Sequence, residues 1–151
     1  MKAATRLSKQ EYAHMYDRHA DSLYRFALCV TGDSQKAGSA MAELFSEGYF
    51  SKEDDDFETH MLKVLWRILE SCQHGSENLY REGMKKLFPL VEHSEMIETL
   101  SLLSPRERAR VMLGTLFQRD DDAVAGILAH RPQDEGEHYY LFGNRLSFAA
   151  S

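Results

Sequence analysis

Two strong helix-start signals occur in the chain, and its apolar residues recur at three- and four-residue steps. The segment 8–11, SKQE, fits the Ser-x-x-Glu capping box. The segment 104–107, SPRE, combines a serine cap with proline at the first helical position and an acid in the first turn. No sustained alternation of β-branched residues indicates a sheet. The sequence therefore predicts an all-α fold.

Three helices are predicted in the first half of the chain. The first extends over 8–31 and ends at Gly32, a residue favoured just beyond a helix C-terminus. Asp33 or Ser34 caps the second, whose apolar face consists of Ala37, Met41, Leu44, Phe45 and Tyr49. The segment 51–56, SKEDDD, is typical of a solvated turn that ends in an acidic cap. The third helix follows it, with a buried side of Phe57, Met61, Val64, Leu65, Ile68 and Leu69.

The segment 77–93 fits two alternatives, a short helix ended by Pro89 or a partly ordered linker. We take it as a domain boundary. This predicts one helical domain over 1–76, a linker over 77–93 and a second helical domain over 94–151. In the second domain we expect helices from Ser94 and Ser104, a short helix after the polar turn 118–122, and a last helix over 137–148.

Composition restricts the classes of function. The net charge is −6 and the pI is about 5.6, whereas a nucleic-acid-binding protein usually presents a basic face. Cys29 and Cys72 belong to no CxxC motif, so we expect reduced, buried thiols. No apolar signal-peptide core and no run of membrane-spanning length occur. We therefore expect a cytoplasmic protein without membrane insertion.

Five segments carry a family resemblance by their order and spacing. They are 16–33, YDRHADSLYRFALCVTGD; 36–49, KAGSAMAELFSEGY; 57–70, FETHMLKVLWRILE; 103–117, LSPRERARVMLGTLF; and 121–129, DDAVAGILA. Together they resemble regions 2 and 4 of a small bacterial RNA polymerase sigma factor of the extracytoplasmic-function type. The resemblance implies two all-helical domains, the second with a helix-turn-helix.

The resemblance also implies partners and contact residues. The second segment resembles the helix that docks on the polymerase clamp, which implies binding of RNA polymerase core, an anti-sigma factor or both. The docking residues implied are Met41, Glu43, Leu44 and Phe45. The third segment resembles the helix that reads the promoter −10 element, and residues after 129 correspond to the −35 reader. The implied nucleic-acid contacts are Lys63, Trp66, Arg67, Arg131, Tyr139, Asn144 and Arg145.

Departures from the family pattern weaken the expected DNA-reading surface. Ser39 and Ala42 replace an acid and a glutamine of the docking helix, and the basic tail after the third helix is replaced by ESCQHGSE. Arg145 alone remains basic where about four such residues are expected. Residues 100–151 hold six arginines and seven acids. Because phosphate neutralisation dominates DNA affinity, we expect promoter DNA contact to be weak.

Two readings of function therefore stay open, and a third is much weaker. The first is a sigma-type initiation factor that directs polymerase to promoters. The second is a sigma-like protein-interaction module that binds an anti-sigma factor or polymerase without reading DNA. Its support is the aromatic segment 139–148, whose apolar residues suit protein contact.

The third reading is a metalloenzyme. The Glu-x-x-His pairs 11/14 and 135/138, with Glu43 and Glu47, would be the candidate ligands of a di-iron site. No phosphate loop, nucleophile elbow or HExxH motif occurs. We therefore predict a non-enzyme without cofactor or metal.

Overall fold

A computed structural model of the chain describes residues 8–47 and 56–129. These residues form helices and no strand, which confirms the all-α prediction. The seven α-helices are α1 Lys9–Thr31, α2 Ser34–Glu47, α3 Phe57–Glu70, α4 Glu77–Leu87, α5 Ser94–Ser101, α6 Pro105–Thr115 and α7 Asp121–Leu128, with a 3-10 helix, Val91–His93, before α5. No helix in the described ranges is long and apolar enough to cross a membrane.

Side chains at the helix ends explain where the helices begin. The Ser8 hydroxyl accepts a hydrogen bond from the Glu11 amide (3.0 Å), and the Glu11 carboxylate accepts one from the Ser8 amide (2.9 Å). Ser104 and Glu107 form the same capping box on α6. Asp33 caps α2 by accepting from two amides of its first turn. Gly32 has φ 66°, as a left-handed C-terminal residue does, so these predicted boundaries are confirmed.

Aspartates cap two further helices, and the first of them confirms the acidic cap predicted at the end of 51–56. The Asp56 carboxylate accepts from the Thr59 amide (2.6 Å) at the start of α3, and this hydrogen bond lowers the pKa of Asp56. Asp120 accepts from the Ala123 amide (2.8 Å) at the start of α7. The acidic turns therefore act as helix caps.

Helix α1 lies at the centre of the packing. It contacts α2, α3, α4 and α6, while α3 contacts α7. One hydrophobic core therefore draws side chains from Tyr12 in α1 to Leu128 in α7. Of the two alternatives for 77–93, the structure has a helix over Glu77–Leu87. The division into two domains stays a prediction, and the contacts show that helices from both halves share this core.

Helix α4 crosses the α1–α2 turn at a contact that requires glycine. A methyl group on Gly83 would overlap the carbonyl group of Gly32, and a methyl group on Gly32 would overlap the Tyr80 ring. The Tyr80 hydroxyl donates a hydrogen bond to the carbonyl of Cys29 near the end of α1. The backbones can therefore approach closely enough for Tyr80 to reach the core.

A buried arginine joins four helices. Arg108 of α6 is 5% exposed; its Nε donates to the Leu100 carbonyl of α5 (2.8 Å) and one terminal nitrogen donates to the Val30 carbonyl of α1 (3.0 Å). The guanidinium lies 3.6 Å from the centre of the Tyr80 ring of α4. Both carbonyls belong to the last turns of their helices, where such groups lack intrahelical partners and the helix dipole favours a cation.

Two expectations about burial are corrected. Phe45, predicted on the apolar face of α2, is 42% exposed, because it lies at the edge of the face that Met41 and Leu44 bury. Cys72 is only partly buried, whereas Cys29 is buried, and both thiols are free. Burial raises the pKa of Cys29 to about 11, so this thiol stays protonated near neutral pH. The predictions for Tyr49 and for the last helix over 137–148 lie outside the described residues.

Gly83→Ala is expected to destabilise the protein by about 2 kcal/mol or more, because the added methyl group must push α4 away from the α1–α2 turn. Gly38→Ala, in open space on α2, is the matched control and should stabilise the fold by up to about 1 kcal/mol. Urea denaturation measures both. Equal effects of the two substitutions would contradict the close packing at Gly83.

Arg108→Ala should lower the free energy of unfolding by about 3 kcal/mol, since it removes the side-chain donor from the Val30 carbonyl, one of two donors from the Leu100 carbonyl, and the cation from the Tyr80 ring. Arg110→Ala removes an exposed charge from the same helix and should change stability by about 0.5 kcal/mol at most. Chemical denaturation with both variants checks the difference. A loss at Arg108 no larger than at Arg110 would show that this guanidinium does not hold the helices together.

Candidate docking surface on helix α2

The predicted docking residues divide into two pairs. Met41 and Leu44 are 8% and 0% exposed, so they hold α2 on the core. Glu43 and Phe45 are exposed and face outward. The accessible surface at the C-terminal end of α2 comprises Ala42, Glu43, Phe45, Ser46 and Glu47, which we call the α2 surface.

Two tyrosines of α1 fix the C-terminal turn of α2 from behind. The Tyr12 hydroxyl donates to the Phe45 carbonyl (2.7 Å), with the Leu44 carbonyl at 3.4 Å. The Tyr16 hydroxyl donates to the Met41 carbonyl (3.1 Å). Helix α2 has no basic residue in its last turn. The two tyrosine hydroxyls thus tie the C-terminal half of α2 to α1 through its carbonyls.

The same tyrosines form an aromatic support for Phe45. The Phe45 ring centre lies 4.8 Å from that of Tyr16, edge to face at 77°, and 5.2 Å from that of Tyr12. Burial raises the pKa of both tyrosines, so their hydroxyls remain protonated donors. Phe45 is thus exposed and yet held on two sides.

Two carboxylates lie beside Phe45 in the sequence of α2. Glu43 and Glu47 are four residues apart, so they share one face of the helix. A hydrogen bond that the protonated Glu43 carboxyl donates to the Glu47 carboxylate raises the pKa of Glu43. The exposed end of α2 therefore presents an aromatic side chain and two carboxylates, which suit a partner with apolar and basic side chains.

The predicted nucleic-acid contacts on α3 are placed differently. Arg67 is exposed and Lys63 is partly buried. Trp66 is 1% exposed and lies in the core, where its indole nitrogen has no hydrogen-bond partner among the described residues. A base could stack on Trp66 only if the ring left the core. Arg131, Tyr139, Asn144 and Arg145 lie outside the described residues.

A cleft of about 330 Å³ lies between the α1–α2 turn and α4. Its charged groups include Asp33, Lys36, Glu82 and Lys86, so neither sign dominates. Asp33 already accepts from the first amides of α2, and the Lys36 ammonium donates to the Gln73 carbonyl. The cleft therefore offers no concentrated charge to an ionic ligand.

A polar cluster links α1, α3 and the α6–α7 turn. The Glu58 carboxylate accepts from Arg119 (2.5 Å), and His19 lies 3.3 Å from its other oxygen. Arg119 follows Gln118, whose φ of 54° turns the chain toward α3. This cluster is a tertiary contact between the two halves of the chain.

The residues proposed for a di-iron site are not assembled in the part of the chain that the structure describes. Glu11 and His14 are exposed on α1, and Glu11 is engaged in the capping box. Glu43 and Glu47 project outward from α2. Within residues 8–47 and 56–129, no group of three or more His, Cys, Asp or Glu side chains could hold a metal ion. The pair at 135/138 lies outside these ranges.

Comparisons with known proteins return no matching family model, no matching curated protein and no matching solved structure. The site therefore has to be interpreted from its own geometry. The sequence analysis identified neither Glu47 as part of the α2 surface nor Tyr12 and Tyr16 as the residues that support it. The four-residue spacings of Tyr12/Tyr16 and Glu43/Glu47 were a usable signal, since each pair shares a helix face.

The fluorescence of Trp66 tests its placement, because the chain has one tryptophan. In the native protein we expect emission shifted to shorter wavelength than in urea, with weak quenching by iodide, because the ring is shielded from solvent. Strong iodide quenching of the native protein would place Trp66 on the surface and restore it as a base-stacking candidate.

Proposed function

We propose that this protein acts in transcription as a sigma-like helical protein that docks on bacterial RNA polymerase core through the α2 surface and reads DNA weakly or not at all. One observation carries the proposal. In the structure the segment resembling the docking helix presents Phe45 and Glu43 to solvent, whereas the segment resembling the −10 reader keeps Trp66 in the core. The side chains available for contact suit a protein partner.

Charge supports the choice of polymerase core over DNA as the main partner. Glu43 and Glu47 would repel phosphates, and the whole chain carries −6. A protein surface with basic side chains around an apolar pocket would complement both the carboxylates and the Phe45 ring. Aromatic anchors inside a polar rim are typical of binding interfaces.

The second candidate function is a sigma factor that still directs polymerase to promoters. The exposed Arg67, with Lys63 one turn before it, favours it, because these cations could contact the phosphates of a displaced strand. In this version Arg131, Tyr139, Asn144 and Arg145 would contribute the remaining contacts. The acidic balance of residues 100–151 makes us place it second.

In this proposal the two sigma-like halves, 1–76 and 94–151, have different roles. In the isolated chain α1 and α3 pack against α6 and α7, and Arg119 bonds Glu58. The first half would carry the partner contact on α2, which packs on α1 and α3. Docking on α2 therefore does not require the two halves to separate.

Binding of the purified chain to RNA polymerase core tests the proposal. Phe45→Ala should weaken binding about tenfold or more, because it removes the aromatic anchor. Glu43→Lys should weaken it and reverse the salt dependence of the remaining affinity. Leu79→Ala, which truncates a 65% exposed apolar side chain on α4, is the matched control and should bind like the wild type.

A DNA-binding titration on the same preparation separates the two candidates. Polymerase binding without salt-sensitive DNA affinity supports the protein-contact function. Polymerase binding together with DNA affinity that Arg67→Ala reduces supports the promoter-directed function. Failure of the wild type to bind polymerase core at low salt would refute both.

A further inference from the structure

We propose that Tyr12 and Tyr16 are positioning residues for docking: through the carbonyls of Met41 and Phe45 and through the Phe45 ring, they hold Phe45 ready for its partner. The inference deepens the proposed function and rests on it. Neither tyrosine belongs to the accessible α2 surface, since Tyr12 is 4% exposed and Tyr16 is partly buried. Their effect on a partner would therefore pass through Phe45.

The hydrogen bonds fix the backbone that carries Phe45. Tyr12 donates to the carbonyl of Phe45 itself, and Tyr16 donates to that of Met41, four residues earlier. The two acceptors are one helical turn apart, and the second is Phe45 itself. Helix ends open more readily than helix centres, so the turn that carries Phe45 would be the first part of α2 to loosen without these bonds.

The rings fix the side chain in a second way. The Tyr16 ring packs edge to face on the Phe45 ring, and the centre of the Tyr12 ring lies 5.2 Å from that of Phe45. Tyr12 also contacts Phe57 at the start of α3, with ring centres 5.9 Å apart. The support of Phe45 is thus continuous with the core rather than a local pair on the surface.

Preorganisation of Phe45 is the advantage that the two tyrosine hydroxyls beneath the exposed ring would provide. Ordering a side chain during binding reduces affinity, so an aromatic anchor already held in one orientation binds more tightly than a free one. Because the hydroxyls act on the backbone and the rings act on the side chain, Tyr→Phe substitutions remove the first effect and retain the second. This separates positioning from packing.

The test compares Tyr12→Phe and Tyr16→Phe with Tyr24→Phe. Tyr24 is a half-buried residue of α1 whose hydroxyl has no hydrogen bond within the described ranges. For the first two variants we expect faster amide hydrogen exchange in the last turn of α2, unchanged exchange in its first turn, and roughly fivefold weaker binding to polymerase core. The Tyr24 variant should match the wild type in all three.

A double-substitution cycle identifies the route of the effect. In a Phe45→Ala background, Tyr12→Phe should cause no further loss of affinity, although it should still accelerate exchange in α2. An equal loss in both backgrounds would overturn the inference, because Tyr12 would then act independently of Phe45. Unchanged exchange in the last turn of α2 would overturn it as well.

Failure of the proposed function would give a different combination of binding and exchange results. If the wild type does not bind polymerase core, the proposed partner is wrong, and the exchange data alone decide whether the tyrosines hold Phe45. If the wild type binds and the tyrosine variants bind equally well, the function stands and the positioning role is refuted.

Discussion

The buried C-terminal end of α1 sets the requirement on which the rest of the fold depends. Helix α1 has no basic residue in its last turn, so its terminal carbonyls need donors from elsewhere or burial becomes costly. Arg108 and Tyr80 supply them, to Val30 and Cys29. Burial lowers the pKa of Arg108, but arginine keeps its charge in proteins. Helices α4, α5 and α6 are therefore placed where these two side chains can reach α1.

Side chains of another helix also donate hydrogen bonds to carbonyls of α2, with a different consequence. There Tyr12 and Tyr16 supply donors from α1, yet this helix end is near the surface and carries an exposed aromatic ring. At the end of α1 the donors hold the core together. At the end of α2 they hold a ring that is 42% exposed, and our proposal that this end binds a partner starts from that exposure.

Local signals predicted the helices well because each depends on a few neighbouring residues. The boxes at Ser8 and Ser104, the glycine at 32 and the aspartate at 56 each determine a boundary within one turn. The apolar periodicity of α3 also identified its buried side. Long-range contacts carry no such signal, because Arg108 and Val30 are 78 residues apart. Helical periodicity puts Arg108 on the face of Ala109 and Met112, yet it does not reveal which carbonyls the guanidinium reaches.

The candidate site was also only partly predictable from the sequence. The family resemblance indicated four docking residues of α2. It did not separate Met41 and Leu44, which pack on the core, from the two that face solvent. That separation depends on where α1 and α3 lie, and so does the burial of Trp66. An amphipathic helix has a core-facing side and a solvent-facing side. The resemblance alone does not say which side binds a partner. Packing leaves Phe45 and Glu43 accessible, so the chemistry open to a partner is aromatic and acidic, and a basic protein surface satisfies it better than a phosphate backbone does.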